Sequence, residues 1–100
     1  MGEIELEGLI IEWDDNKAEI NYKKHGIHFE DAALIFLDEN LIEFYDEEHS
    51  YEEDRIKVIG KVGKILVVIY TERDEKYRMI SARNATKRER MKYYGQHPNL

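Results

Sequence analysis

Cationic side chains are concentrated in one stretch of the sequence, residues 70–90, which reads YTERDEKYRMISARNATKRER. Arg78 and Arg83 fall on a predicted strand, and the first turns of a predicted helix follow with three further cations: Lys87, Arg88 and Arg90. A guanidinium group donates two parallel hydrogen bonds to a carboxylate or a phosphate. The stretch therefore contains the right groups for binding an anion.

The formal net charge of −7 conceals opposite charges in the two halves of the chain. Residues 1–54 contain 3 Lys or Arg against 18 Asp or Glu, whereas residues 55–100 contain 12 against 4. Such asymmetry indicates a charged partner for one half, or neutralisation of one half by the other within the fold. The sequence leaves both alternatives open.

Composition predicts one domain with its own hydrophobic core, because the 100 residues are 42% hydrophobic and include seven tyrosines. Cysteine is absent, which excludes a disulfide scaffold and a cysteine-based zinc site. Neither a secretory signal nor an apolar run of roughly 20 residues is present. We expect a single cytoplasmic domain over residues 1–100 that does not enter a membrane, with residues 1–8 and 96–100 as candidate flexible tails.

A strand and a helix are predicted first. Residues 9–13 form an apolar run typical of a strand, whereas residues 1–8 are either a frayed strand or a tail. Acidic residues directly after the run can cap a helix over residues 16–25, and Gly26 favours its termination there. The expected inward side chains of this helix are those of Ala18, Ile20, Tyr22 and His25.

Residues 29–37 predict a second helix, because apolar side chains recur there at helical spacing: Phe29, Ala32, Ala33 and Phe36. We assign Trp13 and Phe29 to the core. An acidic segment follows over residues 38–54, in which residues 41–45 predict a strand.

The remainder of the acidic segment, residues 46–54, is too charged to be anything but a solvated loop. It contains side chains that can bind metals: Asp46, Glu47, Glu48 and His49. Their spacing matches no calcium or zinc motif, so we predict no metal and no other cofactor.

Three strands are predicted next, over residues 55–62, 65–73 and 76–83. Asp74 and Glu75 form either a two-residue turn or, because neither is glycine, part of a longer loop. If Arg73 opposes Lys76, Tyr70 opposes Met79. The same register pairs Val67 with Ala82 and Leu66 with Arg83. It also places Arg78 and Arg83 on opposite faces of the sheet.

The last predicted helix begins at a capping box, Thr86-Lys87-Arg88-Glu89, and runs to about Tyr94, where Gly95 and Pro98 favour its end. The order of elements is strand, helix, helix, an antiparallel meander of three or four strands, and helix. This order predicts an α+β fold.

Two strings of the sequence resemble the BrnT family of toxins. The first is EWDDNKAEINYKKHGIHFEDAALIF, with matches at Trp13, Asp14, Lys17, Asn21, Lys24, His25, Gly26, Phe29 and Ala32. The second is EEDRIKVIGKV…ILVVIYTER…YRMISARNATKRER, with matches at Arg55, Gly60, Thr71, Arg78, Ser81, Ala82, Arg83, Ala85, Thr86 and Glu89. The match covers roughly residues 10–94, and His28 and the acidic residues 1–8 depart from it.

The resemblance implies a toxin of a type II toxin–antitoxin system, with a RelE-like fold, that cleaves RNA and inhibits translation. It implies a cognate, BrnA-like antitoxin in a hetero-oligomeric complex that binds operator DNA through the antitoxin. A non-catalytic binding module, a degenerate toxin that acts only through its partner protein, is the alternative.

Metal-independent cleavage of RNA requires that the 2′-hydroxyl loses a proton, the pentavalent phosphate is stabilised and the leaving oxygen gains a proton. Arginines can stabilise the phosphate, and prepositioned cations are often the largest catalytic contribution. The catalytic candidates are Arg83, Arg55 and Arg78. Each could instead be an exposed charge at the sheet edge or the partner of an acidic side chain.

His25 is the candidate for proton transfer, because its reference pKa lies near neutrality. It could equally cap the end of its helix or pack. The candidate RNA-binding residues are Lys24, Tyr70, Lys87, Arg88 and Arg90, since lysine and arginine bind the phosphate backbone and tyrosine can stack or relay a proton.

Overall fold

Six strands and three helices form the molecule in a computed structural model, which describes residues 1–51 and 53–96. The strands are β1 (Gly2–Leu6), β2 (Leu9–Trp13), β3 (Ile42–Tyr45), β4 (Ile56–Val62), β5 (Lys64–Arg73) and β6 (Lys76–Asn84). The helices are α1 (Asp15–His25), α2 (Phe29–Ala32) and α3 (Lys87–Gln96), with 3-10 turns over Ala33–Leu37 and Glu47–His49. No helix of the described residues is long and apolar enough to cross a membrane.

The strands form one mixed sheet in the order β1-β2-β6-β5-β4-β3. The antiparallel meander from β3 to β6 has four strands, in agreement with the predicted three or four. Residues 2–6 form a strand rather than a tail, and pair with β2 in a hairpin. This hairpin joins β6 through a short parallel pairing of Ile11 with Tyr77 and Glu12 with Arg78.

Helix α1 begins and ends where local signals predict. The Asp14 carboxylate accepts a hydrogen bond from the Lys17 N–H at 2.9 Å, and Gly26 adopts the left-handed conformation with φ 71°. Its predicted inward face was only partly right, because Ala18 packs against the core but two other predicted positions do not. Ile20 and Tyr22 are 55% and 46% exposed, whereas a polar residue between them, Asn21, is buried.

The predicted second helix is divided, because α2 gives way to a 3-10 turn at Ala33. The sheet face under α1 and α2 carries the larger core, to which Trp13 and Phe29 contribute as predicted. A smaller core lies between the other face and α3, where Tyr93 is fully buried.

The turn between β5 and β6 contains two residues, the shorter of the two predicted alternatives. Asp74 and Glu75 both have positive φ, at 53° and 64°, which is the geometry of a type I′ hairpin turn. It sets Arg73 opposite Lys76 and, farther along, Tyr70 opposite Met79.

Beyond Tyr70 the predicted register was wrong, because a bulge between Ile69 and Tyr70 shifts the pairing by one residue. Arg83 therefore opposes Val67 rather than Leu66. Tyr77, Met79 and Ala82 all face the larger core. Because neighbouring residues of a strand alternate between faces, Arg78 and Arg83 both lie on the other face of the sheet. The prediction that they lie on different faces was wrong.

Helix α3 continues to Gln96, so the predicted end at Gly95 was wrong. Pro98, to which the end was also assigned, lies outside the described residues, as do residues 97–100 of the predicted tail.

Candidate active site

Two of the predicted arginines line one cavity on the α3 side of the sheet. Arg55 at the start of β4 and Arg83 near the end of β6 are joined there by Lys57. This cationic cavity has a volume of about 460 Å³. Its remaining lining residues are Asp46, Glu48, His49, Ile69, Ile80 and Ser81. Antiparallel pairing of β4, β5 and β6 brings the cations together, although they are distant in sequence.

Arg83 is held by a carboxylate of α3. Its Nη1 and Nη2 atoms donate to the two oxygens of Glu89 at 2.7 and 2.9 Å, and Nη1 also lies 3.3 Å from the Asn84 carbonyl oxygen. The bond to Glu89 raises the pKa of Arg83, which keeps its charge. Its side chain remains 34% exposed, and the edge that carries Nε is not used by Glu89. A fixed guanidinium thus retains donors for a second anion.

Glu89 links the cations of the cavity to the helix. Its carboxylate accepts from Lys57 Nζ at 2.7 Å and from the Thr86 N–H at 2.8 Å, and the Thr86 hydroxyl accepts from the Glu89 N–H. The predicted capping box is therefore confirmed. The hydrogen bond from Arg83, followed by those from Lys57 and Thr86, holds the pKa of Glu89 far below its usual range against the effect of burial.

The role of Glu89 as an anchor for two cations was not predicted. The Thr-x-x-Glu spacing reveals the cap, but no local pattern reveals that the same carboxylate reaches β4 and β6.

Arg55 has a donor without an acceptor. Among the described residues, its buried Nε finds no hydrogen-bond partner, and the Glu53 carboxylate lies 4.0 Å away. A buried unpaired donor destabilises a protein by about 1–3 kcal/mol.

His25 and Lys24 lie beside a second cavity, of about 250 Å³, between α1 and β6. This α1–β6 cavity adjoins the cationic cavity, since Ile80 and Ser81 line both. Burial, and then the charges of Lys24 and Arg83, lower the pKa of His25. The neutral imidazole is therefore favoured at pH 7 and can accept a proton.

Asn21 attaches this end of α1 to the sheet. Its Nδ2 donates to the carbonyl oxygens of Ile27 and Ala82 at 3.1 and 2.9 Å, and its Oδ1 accepts from the Ala82 N–H at 3.0 Å. The Asn21 amide thus forms hydrogen bonds with the part of the β6 edge that lies beyond its pairing with β2. Asn21 was overlooked as a positioning residue; the available signal was a polar residue between exposed apolar neighbours.

Two predicted site residues lie elsewhere. Arg78 is paired with Glu12 at 3.1 Å and does not line either cavity. Tyr70 is only 2% exposed, stacks on Tyr77 in the larger core, and has a raised pKa because of burial. The prediction that Tyr70 contacts RNA is therefore wrong, because its ring does not reach the surface.

The cations at the start of α3 are exposed, as docking to a phosphate backbone requires: Lys87, Arg88 and Arg90. Arg90 also donates from Nη1 to the Ala85 carbonyl oxygen at 2.9 Å.

Elsewhere the acidic half does neutralise cations, because Glu12 pairs with Arg78 and Glu53 pairs with Arg73. Both alternatives for the charge asymmetry thus find support.

His49 is a further histidine at the cationic cavity. The Asp46 carboxylate oxygens lie 3.0 and 3.2 Å from its Nδ1, which leaves Nε2 as the nitrogen available to a ligand. The sequence indicates His49 only as a candidate metal ligand. In the part of the chain that the structure describes, no three His, Asp or Glu side chains are grouped as a metal site requires.

An α+β fold that gathers arginine, lysine and histidine around one cavity has the donors that binding of a phosphate requires. Residues 13–89 match the family described as "Ribonuclease toxin, BrnT, of type II toxin-antitoxin system", so the chain belongs to the BrnT family. It is a ribonuclease toxin of a type II system, with RNA as substrate and an antitoxin as partner.

A solved structure supports this assignment. The chain is 28% identical to the ribonuclease toxin BrnT of Brucella abortus, with a TM-score of 0.61 over 77% of this chain and 96% of that one. No curated protein matches the sequence significantly.

Proposed function

We propose that the cationic cavity is the site of RNA cleavage and that cleavage there needs no metal ion. The observation that carries this proposal is the convergence of Arg55, Lys57 and Arg83 on one cavity, beside His25. Three cations can neutralise the charge that develops on a pentavalent phosphate, which is the stabilisation that a metal ion would otherwise supply.

In this proposal Arg83 and Arg55 bind the scissile phosphate directly. Arg83 offers its Nε edge in an orientation set by Glu89, and Arg55 lines the same cavity with a side chain that is 32% exposed. Lys57 adds a third positive charge but is itself bonded to Glu89. Arg78, originally a catalytic candidate, is assigned to its ion pair with Glu12.

Two histidines flank the phosphate position and could divide the proton transfers. His25, whose pKa is lowered, suits removal of the 2′-hydroxyl proton. His49, oriented by Asp46, suits donation to the leaving 5′-oxygen once protonated. Lys24 contributes positive charge beside His25.

The exposed cations would hold the RNA chain on either side of the cleaved bond. Lys24 lies at the end of α1, and Lys87, Arg88 and Arg90 lie at the start of α3. Contacts of this kind provide affinity without sequence choice.

The same proposal extends to the biological context. The fold is assigned to the RelE-like class, and the toxin acts in the cytoplasm as a single domain. Its antitoxin is BrnA-like, covers the basic surface with a helix, and carries the complex to operator DNA. The support is family membership together with the charge of the second half of the chain.

Cleavage of end-labelled RNA by the purified protein in excess chelator tests the proposal. We expect defined products with the wild type and a loss of about 100-fold or more with Arg55→Gln, because one phosphate ligand is removed. Lys64→Gln is the control, because Lys64 is exposed and lines neither the cationic cavity nor the other cavity that Arg55 lines.

Activity that chelator abolishes would refute the metal-independent route. RNA binding without products would instead favour the non-catalytic binding module. Equal losses in Arg55→Gln and Lys64→Gln would show that net charge, not the cavity, matters.

A further inference from the structure

The α1–β6 cavity has an aliphatic side chain from each of the two elements that enclose it. Ile20 of α1 lies on one side and Ile80 of β6 on the other. Ile20 is 55% exposed, so it contributes little to the core. The cavity volume of about 250 Å³ is below the range of roughly 300–1,000 Å³ typical of drug-sized ligands, which suits one flat ring system.

The α1–β6 cavity lies next to Arg83 along β6. Ser81 belongs to both cavities, and Arg83 follows it by two residues, about 6.6 Å along an extended strand. A nucleotide with its phosphate at Arg83 can therefore direct its base toward Ser81.

The edges of the cavity are cationic. Lys17 and Lys24 are exposed at its rim and can contact the phosphates that flank a bound base. The Asn21 amide is already bonded to the backbone of Ile27 and Ala82, which leaves the Ser81 hydroxyl as a lining group able to donate or accept.

We propose that the α1–β6 cavity receives the base of a nucleotide next to the scissile phosphate, between the side chains of Ile20 and Ile80, and thereby selects where RNA is cut. Single-stranded RNA is read in this way, by contacts with the face of an unstacked base and by hydrogen bonds to its edge. One hydroxyl distinguishes bases only partly, so the cavity confers a preference and not a strict sequence requirement. The inference rests on the proposed site of cleavage.

Replacement of Ile20 by serine tests the inference. The variant should fold normally, because Ile20 is exposed, and thermal unfolding checks this. In cleavage of unstructured RNA by the purified protein, KM should rise roughly five- to tenfold, the low end of base-stacking effects, with little change in kcat. The base preference at the cut sites should weaken. Leu34→Ser, at an exposed leucine remote from both cavities, is the control and should match the wild type.

A binding measurement makes the result specific to a base. Oligonucleotides with a blocked 2′-hydroxyl, each lacking one base in turn, are titrated with the wild type and with Ile20→Ser. We expect that removal of the base at one position lowers the affinity of the wild type. The same removal should leave the affinity of Ile20→Ser unchanged. Equal losses in both proteins at every position, or an unchanged base preference of Ile20→Ser, would overturn the inference.

The cleavage assay and the binding series together separate this inference from the proposed function. A wild type that binds but does not cut would refute cleavage at the cationic cavity, and the binding series would still decide whether a base occupies the α1–β6 cavity.

Discussion

Replacement of Glu89 by glutamine removes one negative charge from the cationic cavity and keeps a side chain of nearly the same shape. The carboxylate accepts two bonds from Arg83, at 2.7 and 2.9 Å, and one from Lys57 at 2.7 Å. The capping box with Thr86 should survive, because glutamine serves in that position as well as glutamate. The substitution therefore isolates the anchoring of the two cations.

The expected loss of stability follows from those bonds. Hydrogen bonds to charged groups contribute about 1.5–3 kcal/mol each. The Arg83 and Lys57 side chains are 34% and 29% exposed, so water replaces much of what is lost. We expect the free energy of unfolding to fall by about 2 kcal/mol, which corresponds to roughly 8–16 °C in Tm for a domain of this size.

RNA cleavage should fall further than stability alone explains. Without Glu89, Arg83 can rotate away from the phosphate, and a displacement of about 1 Å can cost roughly 100-fold in rate. We expect kcat/KM to fall about 10- to 100-fold at a temperature where the variant is fully folded.

The comparison with Thr86→Ala makes this prediction refutable. That variant loses the capping hydroxyl, at a cost of about 1 kcal/mol, but keeps the bonds from Glu89 to Arg83 and Lys57. Denaturant unfolding and initial rates on labelled RNA are measured for both. If the two variants cleave RNA equally well when folded, Glu89 caps the helix and does not position Arg83.

The pH dependence of stability provides a second measurement. The pKa of Glu89 is lowered in the folded protein, so its contribution is complete above the unfolded value of 4.5 and is lost as the pH falls below it. Unfolding of the wild type between neutral pH and pH 3 should show this loss, and Glu89→Gln should show less of it.

Three further predictions concern the elements around the site. Lys24→Gln removes a charge that lowers the pKa of His25, so the acidic limb of the pH profile of kcat/KM should move to higher pH; an unmoved limb would exclude His25 as the base. Asn21→Ala should lower the free energy of unfolding by about 2–3 kcal/mol, because buried groups lose their partners, and hydrogen exchange should show the β6 edge opening first. Gly60→Ala would place a Cβ 2.5 Å from the Cγ1 of Ile35, so it should destabilise the fold by about 1–3 kcal/mol while the folded fraction remains active.

Local signals were sufficient for three of the helix ends. The cap at Asp14, the left-handed Gly26 and the capping box of Thr86 each involve residues within one helical turn, so the sequence contains everything that these contacts need. The two-residue turn at Asp74 was predictable for the same reason.

Long-range pairing was not predictable in this way. The pairing of the β1–β2 hairpin with β6 joins residues that are far apart in sequence, and no local pattern indicates it. The bulge at Ile69 reversed the expected relation of Arg78 to Arg83. Asn21 of α1 faces inward because its amide forms hydrogen bonds with the edge of β6. These bonds determine which face of the helix is buried, so Ile20 remains exposed although it is apolar.

The sequence by itself determined that this protein has an α+β fold with a cationic second half, and its residues were sufficient to identify the family. Only the tertiary structure decided what each cation does. Arg78 is neutralised by Glu12, whereas Arg55 and Arg83 converge on one cavity. The physical reason is that the role of a charge depends on its distance from other charges and on its burial, and both are set by which strands pair and in what register.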